Sequence, residues 1–478
     1  MQRMRRRGDV DMTQGSEFRH ILLFALPLLV GNIFQQLYNT VDSWVVGNFA
    51  SNEAFAAVGT VGPIINMLIG LFAGLASGAG VVISQYYGAR NHEKVHDTVH
   101  TAIAMTAILT IILTAVGVLM TPAMLRFMKT PEEVFPESSA YLTIYFGGMI
   151  GLLFYNMGAG ILRAVGDSRR PFYFLLVSAV TNTLLDLLFV IKFHMGVVGV
   201  AVATMLAQAL SALLTIITLM RSQSDIKLVL RDIRLDFDML GKIVRVGIPA
   251  ALQMAVTAFS NVFVQSYINQ FGANCMSGWT AYGKIDQFIF MPMQSLALAA
   301  TTFVGQNLGI GQVKRARKGA RTALLMAFGS TIVISAVVIA FAPQLVYFFN
   351  QEAEVVRYGT MFLTYLTPFY FLCCVNQVYS AALRGAGDSR APMIIMLASF
   401  VVFRQIYLFL MSRFAFAAIT PMFVNGQQVV RFFSRNVDYT DFCTMVLAMG
   451  YPAGWLVCSV STLIYYQRAD IGKNRLTA

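Results

Sequence analysis

Asp42 sits where a carboxylate is costly. Residues 21–41 contain no Asp, Glu, Lys or Arg, and the acid follows them directly. Gln35, Tyr38, Asn39 and Asp42 recur at spacings of three and four, so a helix puts them on one face. A charge at the centre of a hydrocarbon layer costs about 3 kcal/mol, so such a group turns toward a cavity or a partner. Pro27 frees a backbone carbonyl in the same helix and permits a bend there. A bending helix with a titratable group on its inner face is a candidate coupling element. The competing reading leaves Asp42 at the outer membrane interface, near the helix end.

A second polar set lies in TNTLLDLLFVI, residues 181–191, where Asn182 and Asp186 are four apart and share a face. Thr204, in GVAVATMLAQ, adds a hydroxyl from the next helix. Two carboxylates sharing a dry cavity raise one of their pKa values and allow proton capture near neutral pH. Carboxylate, amide and hydroxyl oxygens suit Na⁺ equally. The residue types leave H⁺ and Na⁺ both open, and no cofactor or resident metal is expected. AYGKIDQFIFMP, residues 281–292, holds Lys284 and Asp286 two apart, hence on different faces. Asp286 is a candidate cavity carboxylate for a cationic substrate, with a packing charge as the alternative.

One further motif asks for zinc. HEKVH, residues 92–96, matches H-E-x-x-H, with His100 a turn further on and Glu93 as the base of a hypothetical protease. It falls between two apolar runs in a basic connection whose counterpart, GIGQVKRARKGAR, has no histidine. A charged amphipathic loop is the expected reading.

These groups need elements that cross a membrane. The 478 residues are 57% hydrophobic and 12% charged, half the charge of a soluble protein, with a mean hydropathy of +0.65. Residues 54–89, 98–125, 138–162, 193–220, 246–283, 322–351, 358–383 and 442–467 are free of Asp, Glu, Lys and Arg. Each exceeds the roughly 20 residues that span a bilayer. Four further runs, at the start and at 171–193, 285–306 and 391–413, carry one or two charges. The expected fold is all-α and polytopic, with twelve transmembrane helices. No alternating ten-residue pattern of a barrel is present.

The net charge of +12 follows the membrane rather than an acidic partner. With both ends inside, 26 of the 35 Lys and Arg fall on the inner face and 7 on the outer, while Lys284 and Arg404 lie within helices. This is the positive-inside bias, and it argues against nucleic acid. The basic N-terminus reads as the inner flank of the first helix, not a cleavable signal. The five cysteines, an odd number in or beside apolar runs, read as packing residues.

The chain repeats itself. LRAVGDSRRPF starts at Leu162 and LRGAGDSRAPM at Leu383; Asn39, Phe49 and Asn52 recur as Asn261, Phe271 and Asn274; Gln85 and Gly88 recur as Gln306 and Gly309. Two six-helix bundles follow, residues 1–230 and 231–478, pseudo-symmetric about an axis along the membrane normal and enclosing a central cavity. Such repeats are typical of secondary transporters. The acidic set belongs to the first half alone: Asn182 and Asp186 meet Phe403 and Tyr407, and Asp42 meets Val264. The linker 219–245 is the most charged stretch and reads in part as an amphipathic helix.

Together, ALPLLVGNIFQQLYNTVDSWVVGNF, SQYYGARN, LRAVGDSRRP, TNTLLDLLFVI, AYGKIDQFIFMP, FVGQNLG and LRGAGDSRAP give a chain that resembles the multidrug and toxic compound extrusion (MATE) family, in its DinF-like branch. The resemblance implies two six-helix bundles around a cavity open to one side at a time. It implies export of organic cations driven by entry of H⁺ or Na⁺, in a bacterial plasma membrane. It implies that Asp42 is the first-helix acid, that the bend at Pro27 responds to its protonation, and that Asn182, Asp186 and Thr204 complete a cation site. Gln35, Tyr38 and Asn156 then line the same cavity. Partners are small organic cations and membrane lipids, with the chain a monomer. The rival reading is a flippase for lipid-linked oligosaccharide, which needs a basic cavity and finds support only in Lys284 and Arg404. Helices seven and ten carry no acid, unlike another branch of the family. Residues 414–441 form a long outer connection with no counterpart in the first half.

Overall fold

The computed structural model describes residues 10–49, 52–128, 130–415, 422–424, 427–432, 435–473 and 476. The first half comprises α1 (Glu17–Phe49), α2 (Asn52–Gly88), α3 (His92–Phe127), α4 (Phe135–Gly147), α5 (Met149–Ala164), α6 (Arg169–Asp186) and α7 (Gly196–Met220). The second comprises α8 (Phe237–Ile268), α9 (Ala273–Gly309), α10 (Val313–Ala340), α11 (Ala342–Phe349), α12 (Ala353–Leu366), α13 (Tyr370–Gly385), α14 (Arg390–Met396), α15 (Arg404–Leu410), α16 (Tyr439–Ala448) and α17 (Gly450–Arg468). Eleven segments among the described residues are long and apolar enough to cross a bilayer, and α4 with α5 makes a twelfth, bent by 47° at Gly148. The chain is a multi-pass membrane protein.

Side-chain caps start several helices. Asn91 accepts from Lys94 N at the head of α3 and Asp236 from Asp238 N and Met239 N at the head of α8. The repeated Gly-Asp-Ser-Arg turns a corner in each half. Gly166 and Gly387 adopt φ of +87° and +92°, a region open to glycine. Asp167 then accepts from Arg169 N and Arg170 N, and Asp388 from Ala391 N. The motif is therefore a corner and a cap.

Three expectations change. H-E-x-x-H lies in the first turns of α3 rather than in a loop, because Asn91 caps the helix just ahead of it. Only the end of the linker is helical: residues 237–245 open α8, with Met239 and Ile243 buried and Asp238 and Arg245 exposed, while 221–236 are irregular with one 3-10 turn, Leu230–Asp232. There the apolar residues alternate, Ile226 and Leu228 inward and Lys227 outward, which is the period of an extended chain. The outer connection holds a three-stranded antiparallel sheet, β1 (Met422–Val424), β2 (Gln427–Phe432) and β3 (Arg435–Asp438), in the order β1-β2-β3. Helix eleven runs from Arg390 to Ala415 through two π segments, Leu397–Phe403 and Met411–Ala415.

The buried side chains form two cores, one per half, but the halves exchange ends. Ile21, Phe24 and Ala25 at the start of α1 pack in the second core. Met239, Ile243 and Val246 at the start of α8 pack in the first. Ile21 and Ile243 are equivalents, 222 residues apart, and both are fully buried. The five cysteines are buried free thiols.

Candidate cation and substrate site

Asn182 and Asp186 lie one turn apart at the end of α6, and both are buried. Asn182 Nδ2 donates to Thr204 Oγ1 of α7 at 3.5 Å. The carbonyl oxygen of Asn182 is buried and accepts no hydrogen bond among the described residues. A buried amide oxygen without a donor costs about 1–3 kcal/mol, and a cation or a protonated acid would satisfy it. Asp186 stands where the helix changes register: the π segment Leu187–Lys192 begins at the next residue. Such wide turns recur at functional sites.

α1 faces this site from the other side. Gly31 lies against Phe172 and Leu175 of α6, and the Phe34 and Phe172 rings are 6.4 Å apart. Pro27 is inside the helix. Gln35 and Tyr38 are half-buried. Asn32 Nδ2 reaches Ser295 Oγ of α9 at 3.4 Å, so α1 touches both halves. The side chains of Asn39 and Asp42 lie outside the described residues. Asn156 is half-buried and donates to Leu152 O within its own helix.

The second half uses the equivalent space differently. Arg404 is 1% exposed. Its guanidinium lies 4.5 Å from the ring centres of both Phe400 and Tyr451 and donates to Ser260 Oγ at 3.1 Å and to Asn261 Oδ1 at 3.4 Å. Asp286 accepts a hydrogen bond from Tyr370 OH, which is 3.0 Å from Tyr282 OH. Trp279, Phe362, Tyr451 and Trp455 pack around these tyrosines. Lys284 points away and is exposed. The structure thus separates Asp286 from the Asn182 group and seats it among aromatic rings.

Sequence reasoning noticed Gln85 and Gln306 only as a repeat. They are cross-half locks. Gln85 Nε2 donates to Gly385 O at 2.8 Å, and Gln306 Nε2 donates to Ala164 O at 2.9 Å. Ala164 and Gly385 are themselves equivalents, 221 apart. Each amide oxygen takes a terminal segment: Gln306 accepts from Met12 N at 3.0 Å and Gln85 from Leu476 N at 2.8 Å. A Cβ at Gly88 would sit 2.0 Å from Gln306 O, and one at Gly309 2.0 Å from Gln85 O. The halves are therefore closed on the face that carries both described chain ends. The repeat in SQYYGA and GQNLGI was the signal for this seam.

The MatE family model matches residues 27–188 and again 249–410. The probable multidrug resistance protein YpnP of Bacillus subtilis (strain 168) is 30% identical over 84% of this chain and 90% of its own length. The multidrug export protein MepA of Staphylococcus aureus (strain MRSA252) is 21% identical over 83% and 87%. Among solved structures, an outward-facing multidrug resistance MATE family transporter of the MOP superfamily superposes with a TM-score of 0.86. It shares 24% identity and covers 97% of this chain and 98% of its own. A MOP superfamily transporter from Pyrococcus furiosus also gives 0.86, at 23% identity and the same coverage.

Proposed function

The chain belongs to the MATE family, and from that premise we propose that it exports organic cations or drugs in exchange for H⁺ or Na⁺ by alternating access. The family and the names of the relatives support drug efflux. The coupling site in this reading is Asp42, Asn182, Asp186 and Thr204, and the observation that carries it is the buried Asn182 oxygen without a donor beside fully buried Asp186. A cation bound there neutralises the buried charge and favours one facing state. Gln35, Tyr38, Asn39 and Asn156 line the path of the substrate, and Asp286 attracts its positive charge. α1 transmits the change, since it starts in the second core and then packs on α6.

The charge bias assigns the closed face to the cytoplasm, together with both termini. The chain acts as a monomer in the plasma membrane of a bacterium. The lipid-linked oligosaccharide reading loses its main support, because Arg404 is engaged by two rings and two oxygens rather than lining a basic cavity.

The test is efflux of a fluorescent organic cation from loaded proteoliposomes under a pH gradient and, separately, a Na⁺ gradient. One gradient should drive wild-type export, and Asp42→Asn should abolish it. If neither gradient moves any tested cation, drug antiport is wrong and lipid-linked sugars become the substrates to try. If Asp42→Asn exports as well as wild type, Asp42 is an interfacial residue and the coupling site fails.

A further inference from the structure

The histidines of α3 have a role that a zinc protease does not describe. His92, His96 and His100 follow one another at four-residue steps, so they form a ladder on one face of the helix. That face meets the linker between the halves. His92 Nδ1 is 2.7 Å from Asp225 Oδ2, and His96 Nε2 is 3.4 Å from Asp232 Oδ2. His100 Nδ1 lies 2.7 Å from His96 O, an acceptor, and so carries the proton. Its Nε2 lies against the Val229 backbone, 3.0 Å from N and 3.1 Å from O. The two motif histidines thus look to different acids, which separates them as a zinc pair.

His96 and His100 are the better pair. Their ring centres are 3.9 Å apart. One ligand atom each from His96, His100 and Asp232 lies within 4.8 Å of the others. Tetrahedral metal bonds of about 2.0–2.1 Å to nitrogen and oxygen set ligand atoms roughly 3.3 Å apart, so the ligand atoms must close in and the His96 ring, tilted 31° to that of His100, must rotate for both lone pairs to meet one ion. Asp232 is exposed and His96 half-buried, so both side chains can move. The Nδ1 contact of His100 with a backbone carbonyl is one that metal-bound imidazoles make, and Nε2 would leave the Val229 backbone to take the ion. Val229 is half-buried, and its N–H can turn to water when the ion takes Nε2.

We propose that His96, His100 and Asp232 form a site for a divalent transition-metal ion, Zn²⁺ first, with water in the remaining position. Two imidazoles select such an ion over Mg²⁺ or Ca²⁺. The bound ion replaces the His96–Asp232 contact and ties the linker to α3. Asp232 shortly precedes α8, so the tie joins the first helix of the second half to the first half. Arg234–Asp97 and Asp236 N–Thr101 already hold the same stretch, and the ion adds to that lashing. The binding claim stands apart from the transport reading.

The experiment is calorimetric titration of Zn²⁺ into the purified, chelator-treated full chain in detergent, with a parallel Co²⁺ absorption spectrum. Wild type should bind one equivalent at this site, with a Co²⁺ spectrum free of a thiolate charge-transfer band. His96→Ala and Asp232→Asn should each weaken binding by about tenfold or more, and His92→Ala should leave it unchanged. Thermal unfolding confirms that the variants are folded; both altered side chains reach solvent, so they should be. With Zn²⁺, amide exchange over residues 225–232 should slow in wild type and not in His96→Ala. No stoichiometric binding, a thiolate band, or loss of binding in His92→Ala with retention in His96→Ala overturns the proposal.

Discussion

The seam between the halves and their interiors treat the repeat in opposite ways. At the seam the symmetry is kept atom for atom: Gln85 and Gln306 make the same hydrogen bond to equivalent carbonyls, and Gly88 and Gly309 make the same close approach. In the interiors it is lost: Asn182 donates to Thr204 one turn from buried Asp186, while the equivalents of Asn182 and Asp186 are Phe403 and Tyr407, with Arg404 between two rings. Closing one half on the other is a mechanical task that both must perform alike. In the proposed antiport, binding an ion is a chemical task that one half would perform alone, leaving the other free to fill the space with a fixed charge and aromatic packing.

The interior difference is tested by removing the acid. Losing one member of a buried charged set costs about 3–5 kcal/mol. Asp186→Asn should therefore lower coupling-ion affinity at least about a hundredfold, measured as the ion concentration for half-maximal export in proteoliposomes. Asp286→Asn should leave that concentration unchanged while weakening transport of cationic substrates. An ion dependence that moves equally in both variants would mean that the halves share the coupling site.

The seam is tested by adding one carbon. Alanine at Gly88 or Gly309 puts a Cβ 2.0 Å from a backbone oxygen, and overpacking of this kind costs about 1–3 kcal/mol or more. Each should open the closed face and raise aqueous maleimide labelling of Ala164→Cys, a position 1% exposed. Because the two contacts are equivalent, the two variants should agree within about twofold on the scale of one such contact. Strong labelling in one variant alone would show that the seam is not symmetric.

Arg404 separates charge from function in the second half. Its contacts with Phe400 and Tyr451 are worth about 2 kcal/mol when desolvated. Arg404→Gln should lower the thermal unfolding midpoint and leave the ion dependence of export unchanged. Arg404→Lys should recover part of the midpoint only, since ammonium does not stack as guanidinium does. A change in ion dependence without loss of stability would give the second half a coupling role.

Much of the architecture was legible because the membrane makes it so. Charge-free runs longer than 20 residues mark the spans. That Asn182 and Asp186 share a face was readable from helical spacing, where polar groups are rare; the contact of Asn182 with Thr204 is one between two helices. Other features depend on distance in the fold rather than along the chain. Gln85 reaches a carbonyl 300 residues away, so nothing local marks it as a lock. The His100 bond to Val229 spans 129 residues. The exchange of Ile21 and Ile243 between cores is invisible to hydropathy, since each is apolar wherever it packs. The π turns beside Asp186 and Arg404 leave no periodic trace in runs that are apolar on every side.

The smallest predicted effect is also the finest probe of the seam. Gln85→Ala and Gln306→Ala each strand a buried carbonyl, at about 1–3 kcal/mol. If the amide-to-carbonyl bonds were the whole seam, the two losses would match. They should not, because the glutamine oxygens hold unlike segments. Gln306 accepts from Met12, whose carbonyl also receives Asn307 Nδ2 and Arg315 Nη2 and whose side chain is buried in the second core. Gln85 accepts from Leu476, whose carbonyl receives Tyr86 OH. Gln306→Ala should therefore open the closed face further than Gln85→Ala, by Ala164→Cys labelling. Removal of residues 1–12 should erase most of that excess, since it deletes the segment that Gln306, and not Gln85, contacts. An excess that survives the truncation would assign the asymmetry to the helices themselves, and the seam would then share the divergence of the interiors.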